Sequence, residues 1–410
     1  MQPLDNTHLH TLDNGLKIIH VQNQSLVAWC GLAVNAGSRD DPDGLFGLAH
    51  FVEHTIFKGT THRKAWHILN RMENVGGELN AYTTKENTML YSVFPHGHEQ
   101  RALELIADLV NWSVFPKAEL DKEREVVIEE VMSYRDTPAE AIFDDFEDMV
   151  FAGSQLGHNI LGVEKDLDNI ASQECSAYLK TLYVPGNMVL FSVGPEKPER
   201  IFRLAEKHFA AMNHPLSATA KRTAPPVMPP AHNATHFDLH QSHTIVGARL
   251  PSMFSEERFT FSLLNNIVGG PGMNSLLNLY LRERKGLVYT VESSLAQYSD
   301  CGLMQIYFGC DHHHTGKVMN IVANTLNQLA EHPLSDRKLH DFKRQYCGQL
   351  LVAADSAEFI AMNAGKNLLY WGKAPHIART VERIMDITAE ELRTAAQHIA
   401  FDRCSSLTFT

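Results

Sequence analysis

The segment His50-Phe51-Val52-Glu53-His54 carries the main chemical signal in the first part of the chain. Residues four apart lie on one face of a helix, so His50 and His54 can bind the same metal ion. Glu53 lies one turn from His50, beside such an ion, where a carboxylate can take a proton from acidified water. In a chain with 23 histidines, a lone pair at this spacing is typical of solvated surface. The glutamate on an apolar helix favours a metal site.

A third ligand is expected from a predicted helix over residues 116–134, because a catalytic zinc ion takes three protein ligands and keeps one position open. Glu123 and Glu130 are seven residues apart and share a face of that helix, whereas Glu129 lies on another. Valines flank the shared face, so we expect both carboxylates to point inward. Buried carboxylates are costly unless they are paired or bound to metal. The pattern favours Glu130 as the ligand and Glu123 as the group that orients a ligand or the water.

The predicted elements that position these residues occur twice in the chain. The evidence is that the sequence can be aligned with itself at an offset of about 215 residues. Hairpin strands and helices follow the same order in both halves, in the pairs 29–38 and 244–252, 80–94 and 288–308, 98–115 and 315–334, and 188–194 and 405–410. Strands in hairpins mixed with helices predict an α+β fold. We expect two homologous α/β-sandwich-like domains, each a largely antiparallel sheet packed with helices.

A proline-rich stretch separates the two halves. Residues 215–236 contain Pro225, Pro226, Pro229 and Pro230, and proline stiffens the chain and lacks a backbone donor. The sequence therefore predicts a first, zinc-binding domain over 1–214, a linker over 215–236 and a second domain over 237–410.

Composition excludes several classes of protein. The net charge of −12 is unfavourable for a nucleic-acid partner. No apolar run is long enough for a membrane span, and the N-terminus does not resemble a signal peptide. The six cysteines form no C-x-x-C pair, which indicates free thiols rather than a disulfide framework or a cysteine-rich zinc site. Together these features predict a cytoplasmic protein.

The densest histidine cluster is His312-His313-His314, directly after Asp311, a predicted N-cap. Three consecutive side chains are expected to point in different directions and not to converge on one ion. Adventitious surface binding of a metal is therefore favoured over a function for this cluster.

With its neighbouring motifs, the first segment resembles the pitrilysin-type inverzincin metallopeptidases, which include insulin-degrading enzymes and mitochondrial processing peptidases. The resemblance covers essentially the whole chain and rests on residues 50–54, 57–60 (FKGT), 76–83 (GGELNAYT), 123–130 (EREVVIEE) and 161–162 (LG). The family's third ligand lies some 76 positions beyond the second histidine, which again selects Glu130. The resemblance implies one zinc ion per chain, held by His50, His54 and Glu130, with Glu53 as the general base.

The same resemblance implies where the substrate binds. A sheet-edge strand would receive an extended peptide as one more strand. That strand comprises Leu79, Asn80, Ala81, Tyr82 and Thr83. An ordinary hairpin strand is the alternative interpretation.

The second half has no H-x-x-E-H motif, but it has a glycine-rich loop over 269–275 and the pair Arg282 and Tyr289. The resemblance implies that this pair holds the substrate backbone and stabilises the tetrahedral oxyanion. Pro271 departs from the family's loop. The alternative for Arg282 is a solvated charge on an exposed helix.

The resemblance as a whole implies a zinc-dependent endopeptidase that hydrolyses short or unfolded peptides in a chamber closed by a homodimer. In that arrangement Arg282 and Tyr289 act at the zinc site of the partner subunit. Two alternatives stay open: a non-catalytic structural subunit, like the core proteins of a respiratory complex, and a peptidase that is active only with a distinct partner chain.

Overall fold

A computed structural model describes residues 6–212, 222–374 and 376–410. Within these residues the strands are β1 (Thr7–Thr11), β2 (Lys17–Gln22), β3 (Val27–Val34), β4 (Glu78–Thr83), β5 (Thr88–Pro95), β6 (Met188–Gly194), β7 (His232–Thr235), β8 (Ser242–Leu250), β9 (Thr290–Gln297), β10 (Gly302–Cys310) and β11 (Ser405–Phe409).

The α-helices of the described residues are α1 (Leu48–Thr55), α2 (Ala65–Glu73), α3 (Glu99–Trp112), α4 (Lys117–Arg135), α5 (Pro138–Val150), α6 (Glu164–Leu167), α7 (Ser172–Leu182), α8 (Pro198–Phe209), α9 (Arg258–Gly269), α10 (Thr315–Glu331), α11 (Asp336–Ala353), α12 (Ala357–Trp371), α13 (Ile377–Asp386) and α14 (Ala389–Ala396). Short 3-10 turns and one π-helical turn, Asn278–Glu283, complete the helical structure.

The chain forms two compact units, and neither is continuous in sequence. The first takes in the described parts of Met1–Met132, Asn159–Arg222 and Ala353–His376. The second takes in those of Ser133–His158, Thr223–Val352 and Ile377–Thr410. The units therefore do not follow the linear division at residues 215–236.

The first unit is built on a six-stranded sheet in the order β1-β2-β6-β3-β5-β4. Neighbouring strands are antiparallel, except that β2 and β6 run parallel. One face packs on α1, α3 and α7 through a core that includes Leu32, Leu90, Val52, Ile106 and Leu179. Buried apolar side chains of both sheet and helices thus fix α1 to this face.

The other face of this sheet is covered by α12, which lies far from it in sequence. Ala361, Ala364 and Leu368 of α12 are buried with Phe191 and Val193 of β6. The helix approaches closely because Gly365 has no side chain: a Cβ there would lie 2.8 Å from Cδ1 of Phe191. Because both faces of the sheet are covered, β6 is buried throughout and is apolar except for Ser192.

The second unit repeats this plan with a five-stranded sheet in the order β7-β11-β8-β10-β9. Here β7 and β11 are the parallel pair, which corresponds to β2 and β6 of the first unit. One face packs on α9, α10 and α14, and the other is covered by α5 through Ile142, Phe146 and Val150. Each half of the sequence thus supplies the helix that covers one face of the other half's sheet.

The predicted α+β class is confirmed: both units are largely antiparallel sheets packed with helices. The paired elements of the two halves all form, with ends that shift by a few residues. Residues 232–235 of the predicted linker form strand β7, and its residues 215–221 lie outside the described residues. Among the described helices, none has the length and apolar character needed to cross a bilayer. The cytoplasmic location stays a prediction.

Candidate metal centre

Helix α1 is short, and its start is fixed by groups outside the helix. Gly47 precedes it with a φ of 97°, and a Cβ at this position would lie 2.6 Å from the carbonyl oxygen of Leu161. Only glycine fits both conditions. The buried Asp41 accepts hydrogen bonds from the backbone amides of Gly47 and Ala49, each at 2.8 Å. Asp41 therefore satisfies two amide groups at the start of the helix that carries the motif.

The structure brings His50, His54 and Glu130 together. Their donor atoms all lie within 4.8 Å of one another. Oε2 of Glu130 lies 3.9 Å from Nε2 of His50 and 3.7 Å from Nε2 of His54. Glu129 is exposed and is not a member of this group.

These three residues fit a zinc ion. Ligands about 2.0–2.1 Å from a tetrahedral ion lie roughly 3.4 Å from each other, close to the distances between Glu130 and the two histidines. Two imidazoles and one carboxylate are also one of the known ligand sets of catalytic zinc sites. Burial, together with the neighbouring His54, lowers the pKa of His50 to about 3, so its ring is neutral as a ligand must be.

The two glutamates of α4 have different surroundings. The side chain of Glu123 is 14% exposed, and its Oε2 lies 3.4 Å from Nδ1 of His54. Its other oxygen, Oε1, lies 2.5 Å from Nζ of Lys58. Glu130, by contrast, is 45% exposed, so the expectation that both carboxylates point inward is correct for Glu123 and wrong for Glu130. Glu123 thus orients the ring of His54 on the side away from Glu130.

Glu53 lies in the same helix, and its carboxyl group is largely buried. Burial raises the pKa of Glu53 above its ordinary value, and nearby Glu130 acts in the same direction. Thr83 and His54 act in the opposite direction. A carboxyl group with a raised pKa can both accept and return a proton near neutral pH.

Strand β4 is the edge strand of the first sheet as far as the chain is described, and it lies beside this helix. It is the last strand of its sheet, paired with β5, and α1 packs against it. The predicted residues Leu79 to Thr83 all lie in this strand, and Thr83 at its end is the one near Glu53. An edge strand presents unpaired backbone groups to which an extended peptide can bind.

The second unit places Arg282 and Tyr289 at its surface. Arg282 is exposed in the π-helical turn, and Tyr289 directly precedes β9 with 56% of its surface exposed. The hydroxyl of Tyr289 donates to Oδ1 of Asp311 at 2.9 Å. In the glycine-rich loop, Asn274 and Gln345 of α11 exchange two amide hydrogen bonds, which fix the loop to that helix.

Three residues near the candidate metal centre make contacts that the sequence analysis did not predict. Lys58 was visible only as part of the FKGT motif, and its contact with Glu123 depends on the packing of α4. Asp41 lies outside the helix that it stabilises, and its bonds reach amides six and eight residues ahead in the sequence. Thr83 was predicted in the substrate strand without its place beside Glu53.

Two sequence models match this chain. One described as "Insulinase (Peptidase family M16)" matches residues 17–164, and one described as "Peptidase M16 inactive domain" matches residues 169–346. The chain belongs to peptidase family M16.

Relatives in this family match nearly the whole length of the chain. A protein of Rickettsia bellii named "Uncharacterized zinc protease" is 30% identical over 397 residues, 96% of this chain and 95% of its own. The "Uncharacterized zinc protease YmxG" of Bacillus subtilis is 28% identical over 391 residues, 95% of both chains.

Solved structures show the same fold. "The crystal structure of a protease from Helicobacter pylori" matches with a TM-score of 0.90 at 20% identity, over 98% of this chain and 99% of that one. A peptidase M16 inactive domain from Pseudomonas fluorescens matches with a TM-score of 0.91 at 19% identity, over 98% of this chain and 97% of that one.

Proposed function

We propose that this protein is a zinc-dependent endopeptidase that hydrolyses short or unfolded peptides. The observation that carries the proposal is the convergence of His50, His54 and Glu130 within coordinating reach, with the half-buried Glu53 beside them. Relatives of similar length that bear the name zinc protease support it. The proposal assigns one zinc ion to this centre in each chain.

The chemistry supplied by a zinc ion in such a site is Lewis acidity, which polarises a carbonyl and lowers the pKa of water. Glu53 takes a proton from the attacking water and later returns it to the leaving amine. The raised pKa of Glu53 suits it to both steps. Glu123 holds His54 through Nδ1, so the Nε2 atom stays directed toward Glu130.

We assign substrate binding to the edge of β4. A peptide that adds as a further strand gains backbone hydrogen bonds that do not depend on its sequence. Asn80 and Ala81 lie in the middle of this strand, and Thr83 brings its end to Glu53. This arrangement suits extended substrates, because a folded protein has few free strands to offer.

The test uses the purified full chain and a quenched fluorescent peptide, with zinc content measured on the same samples. Glu53→Gln is expected to keep its zinc and to lose turnover by at least about 100-fold, because it removes the general base. Glu73→Gln changes an exposed glutamate of α2 and serves as the matched control. Unchanged turnover in a zinc-loaded Glu53→Gln protein would overturn the mechanism. Mass spectrometry of the products shows whether internal bonds are cut.

We also propose that the active form is a homodimer in which Arg282 and Tyr289 of one subunit act at the zinc site of the other. The division of the residues supports this: the metal motif occurs in the first half only, and the Arg–Tyr pair in the second. A fixed cation and a phenol hydroxyl suit the stabilisation of a developing oxyanion.

Mixed dimers test this assignment. Glu53→Gln subunits are combined with Arg282→Ala subunits, and heterodimer formation is verified by differential tags. Recovered activity supports action across the dimer, and an inactive mixture with confirmed heterodimers rejects it. A chain that holds stoichiometric zinc but cuts no peptide alone would instead favour a structural subunit or a requirement for a distinct partner chain.

A further inference from the structure

A second group of metal-binding side chains lies in the other unit. Within the described residues, Asp311, His313 and His314 also offer donor atoms that lie within 4.8 Å of one another. We refer to residues 311–314 as the histidine turn. The expectation that consecutive side chains here would not converge is wrong for His313 and His314, and correct for His312.

The backbone explains this convergence. His312–His314 form a 3-10 turn, and the amide of His314 donates to the carbonyl oxygen of Asp311 at 2.9 Å. Asp311 is the extended residue directly before this turn, and the hydrogen bond brings His314 back beside it. The rings of His313 and His314 lie next to each other, with centroids 4.0 Å apart.

The histidine turn is held in place by contacts on both sides. Nε2 of His312 donates to the carbonyl oxygen of Leu239 at 2.7 Å, and the hydroxyl of Ser242 lies 2.8 Å from its Nδ1. His312 is therefore occupied as an anchor and not as a ligand. The hydroxyl of Tyr289 donates to Oδ1 of Asp311 at 2.9 Å, which orients the carboxylate and leaves Oδ2 for an ion.

We propose that Asp311, His313 and His314 form a second metal site, separate from the centre at His50, His54 and Glu130. Its two imidazoles and one carboxylate suit a d-block divalent cation such as Zn²⁺, whereas Ca²⁺ and Mg²⁺ take oxygen ligands. Asp311 and His314 are half-buried and His313 is exposed, so an ion can enter from solvent. Three ligands from four consecutive residues are already arranged in the fold, so binding requires little ordering of the chain.

The proposal does not depend on peptidase activity and is tested by metal binding alone. The full chain is stripped with a chelator, desalted and titrated with ZnCl₂ by calorimetry and equilibrium dialysis. The wild type is expected to bind a tight ion and a second, weaker one. His313→Asn/His314→Asn is expected to lose the second ion and keep the first.

Two further variants test whether the second binding event is specific to the histidine turn. They distinguish loss of this site from a general effect of removing histidines and from misfolding. His332→Asn/His340→Asn removes two exposed histidines outside the histidine turn, and both binding events are expected to persist. Asp311→Asn retains an oxygen to accept from Tyr289, and it is expected to weaken the second event by at least about 10-fold. Circular dichroism and an unchanged first event verify that each variant is folded.

A second event that survives in both His313→Asn/His314→Asn and Asp311→Asn overturns the proposal, as does a wild type that binds the tight ion alone. Absence of the tight ion in a wild type that retains the weaker one would instead contradict the proposed function and leave the second site supported.

Discussion

Glu123 is the residue through which Lys58 reaches the metal centre. Its two carboxylate oxygens contact different partners, Nζ of Lys58 at 2.5 Å and Nδ1 of His54 at 3.4 Å. Because a metal-binding imidazole is oriented by the partner of its other nitrogen, we expect Lys58 to act on the proposed zinc site without touching it. We therefore propose Lys58 as a positioning residue.

Substitution of Lys58 tests whether its ammonium group positions Glu123. Lys58→Met keeps the length of the side chain and is expected to weaken zinc binding up to about 10-fold, because Glu123 is then held only by His54. Glu123→Ala is expected to be more severe, at about 10–100-fold. Competition with a chromogenic chelator measures both losses.

Lys122→Met is the matched control, since Lys122 is an exposed neighbour of Glu123 that pairs with Glu119 at 2.9 Å. If Lys58→Met and Lys122→Met bind zinc as tightly as the wild type, Lys58 has no positioning role.

At the scale of elements, helix α1 depends on a carboxylate outside it. Asp41 accepts from the amides of Gly47 and Ala49 and is 3% exposed. Asp41→Ala is expected to lower the free energy of unfolding by about 2 kcal/mol, because two buried amides lose their partner. Urea denaturation of the metal-free protein measures this change.

The free energy of unfolding of Asp41→Asn is expected to lie between those of the wild type and Asp41→Ala, because the side-chain amide oxygen of asparagine can still accept one hydrogen bond. The exposed Asp13, changed to alanine, is the control and is expected to leave the midpoint unchanged. Equal midpoints for Asp41→Ala and Asp13→Ala would contradict this role of Asp41.

Two glycines in helices, one buried against the sheet and one facing open space, allow the packing of α12 to be tested by matched substitutions. Gly365→Ala places a Cβ 2.8 Å from Phe191 and is expected to destabilise the fold by about 1–3 kcal/mol. Gly348 in α11 faces open space, so Gly348→Ala is expected to stabilise by up to about 1 kcal/mol through helix propensity. Thermal unfolding compares the two, and a stabilising Gly365→Ala would show that α12 is loosely packed.

Local periodicity was sufficient to place His50 and His54 on one face of a helix, whereas Glu130 was selected by the need for a third ligand and by the spacing that the family resemblance implies. It did not reveal that α5 and α12 pack on the sheet formed by the other half, since a helical pattern says nothing about which sheet it covers. It also failed at His313 and His314, where the argument assumed regular geometry and the backbone forms a 3-10 turn. Sequence thus predicted elements and spacing, while partners distant along the chain required the structure.

At the scale of the whole molecule, neither half of the sequence contains all the helices that cover its own sheet, because α12 covers the first sheet and α5 covers the second. Without α12, the first sheet would expose the face formed by residues such as Ile19, Val21, Val189, Phe191 and Val193. An exposed apolar face of this kind favours aggregation.

We therefore expect residues 1–214, expressed alone, to be insoluble or to lack a cooperative unfolding transition. Coexpression with residues 215–410 is expected to restore a soluble complex, because α12 is then supplied by the second fragment. Solubility, circular dichroism and size-exclusion chromatography measure both outcomes. A soluble 1–214 fragment that unfolds cooperatively would show that α12 is dispensable for the first sheet.

The position of α12 also sets an order of events during synthesis on the ribosome. The last strand of the first sheet ends at Gly194, but the helix that covers its second face ends at Trp371. At about 5–20 residues per second, roughly 10 to 35 s separate the synthesis of these two elements. During that interval the half that carries His50, His54 and Glu130 emerges with an apolar sheet face uncovered, and such a face favours binding by a chaperone or aggregation.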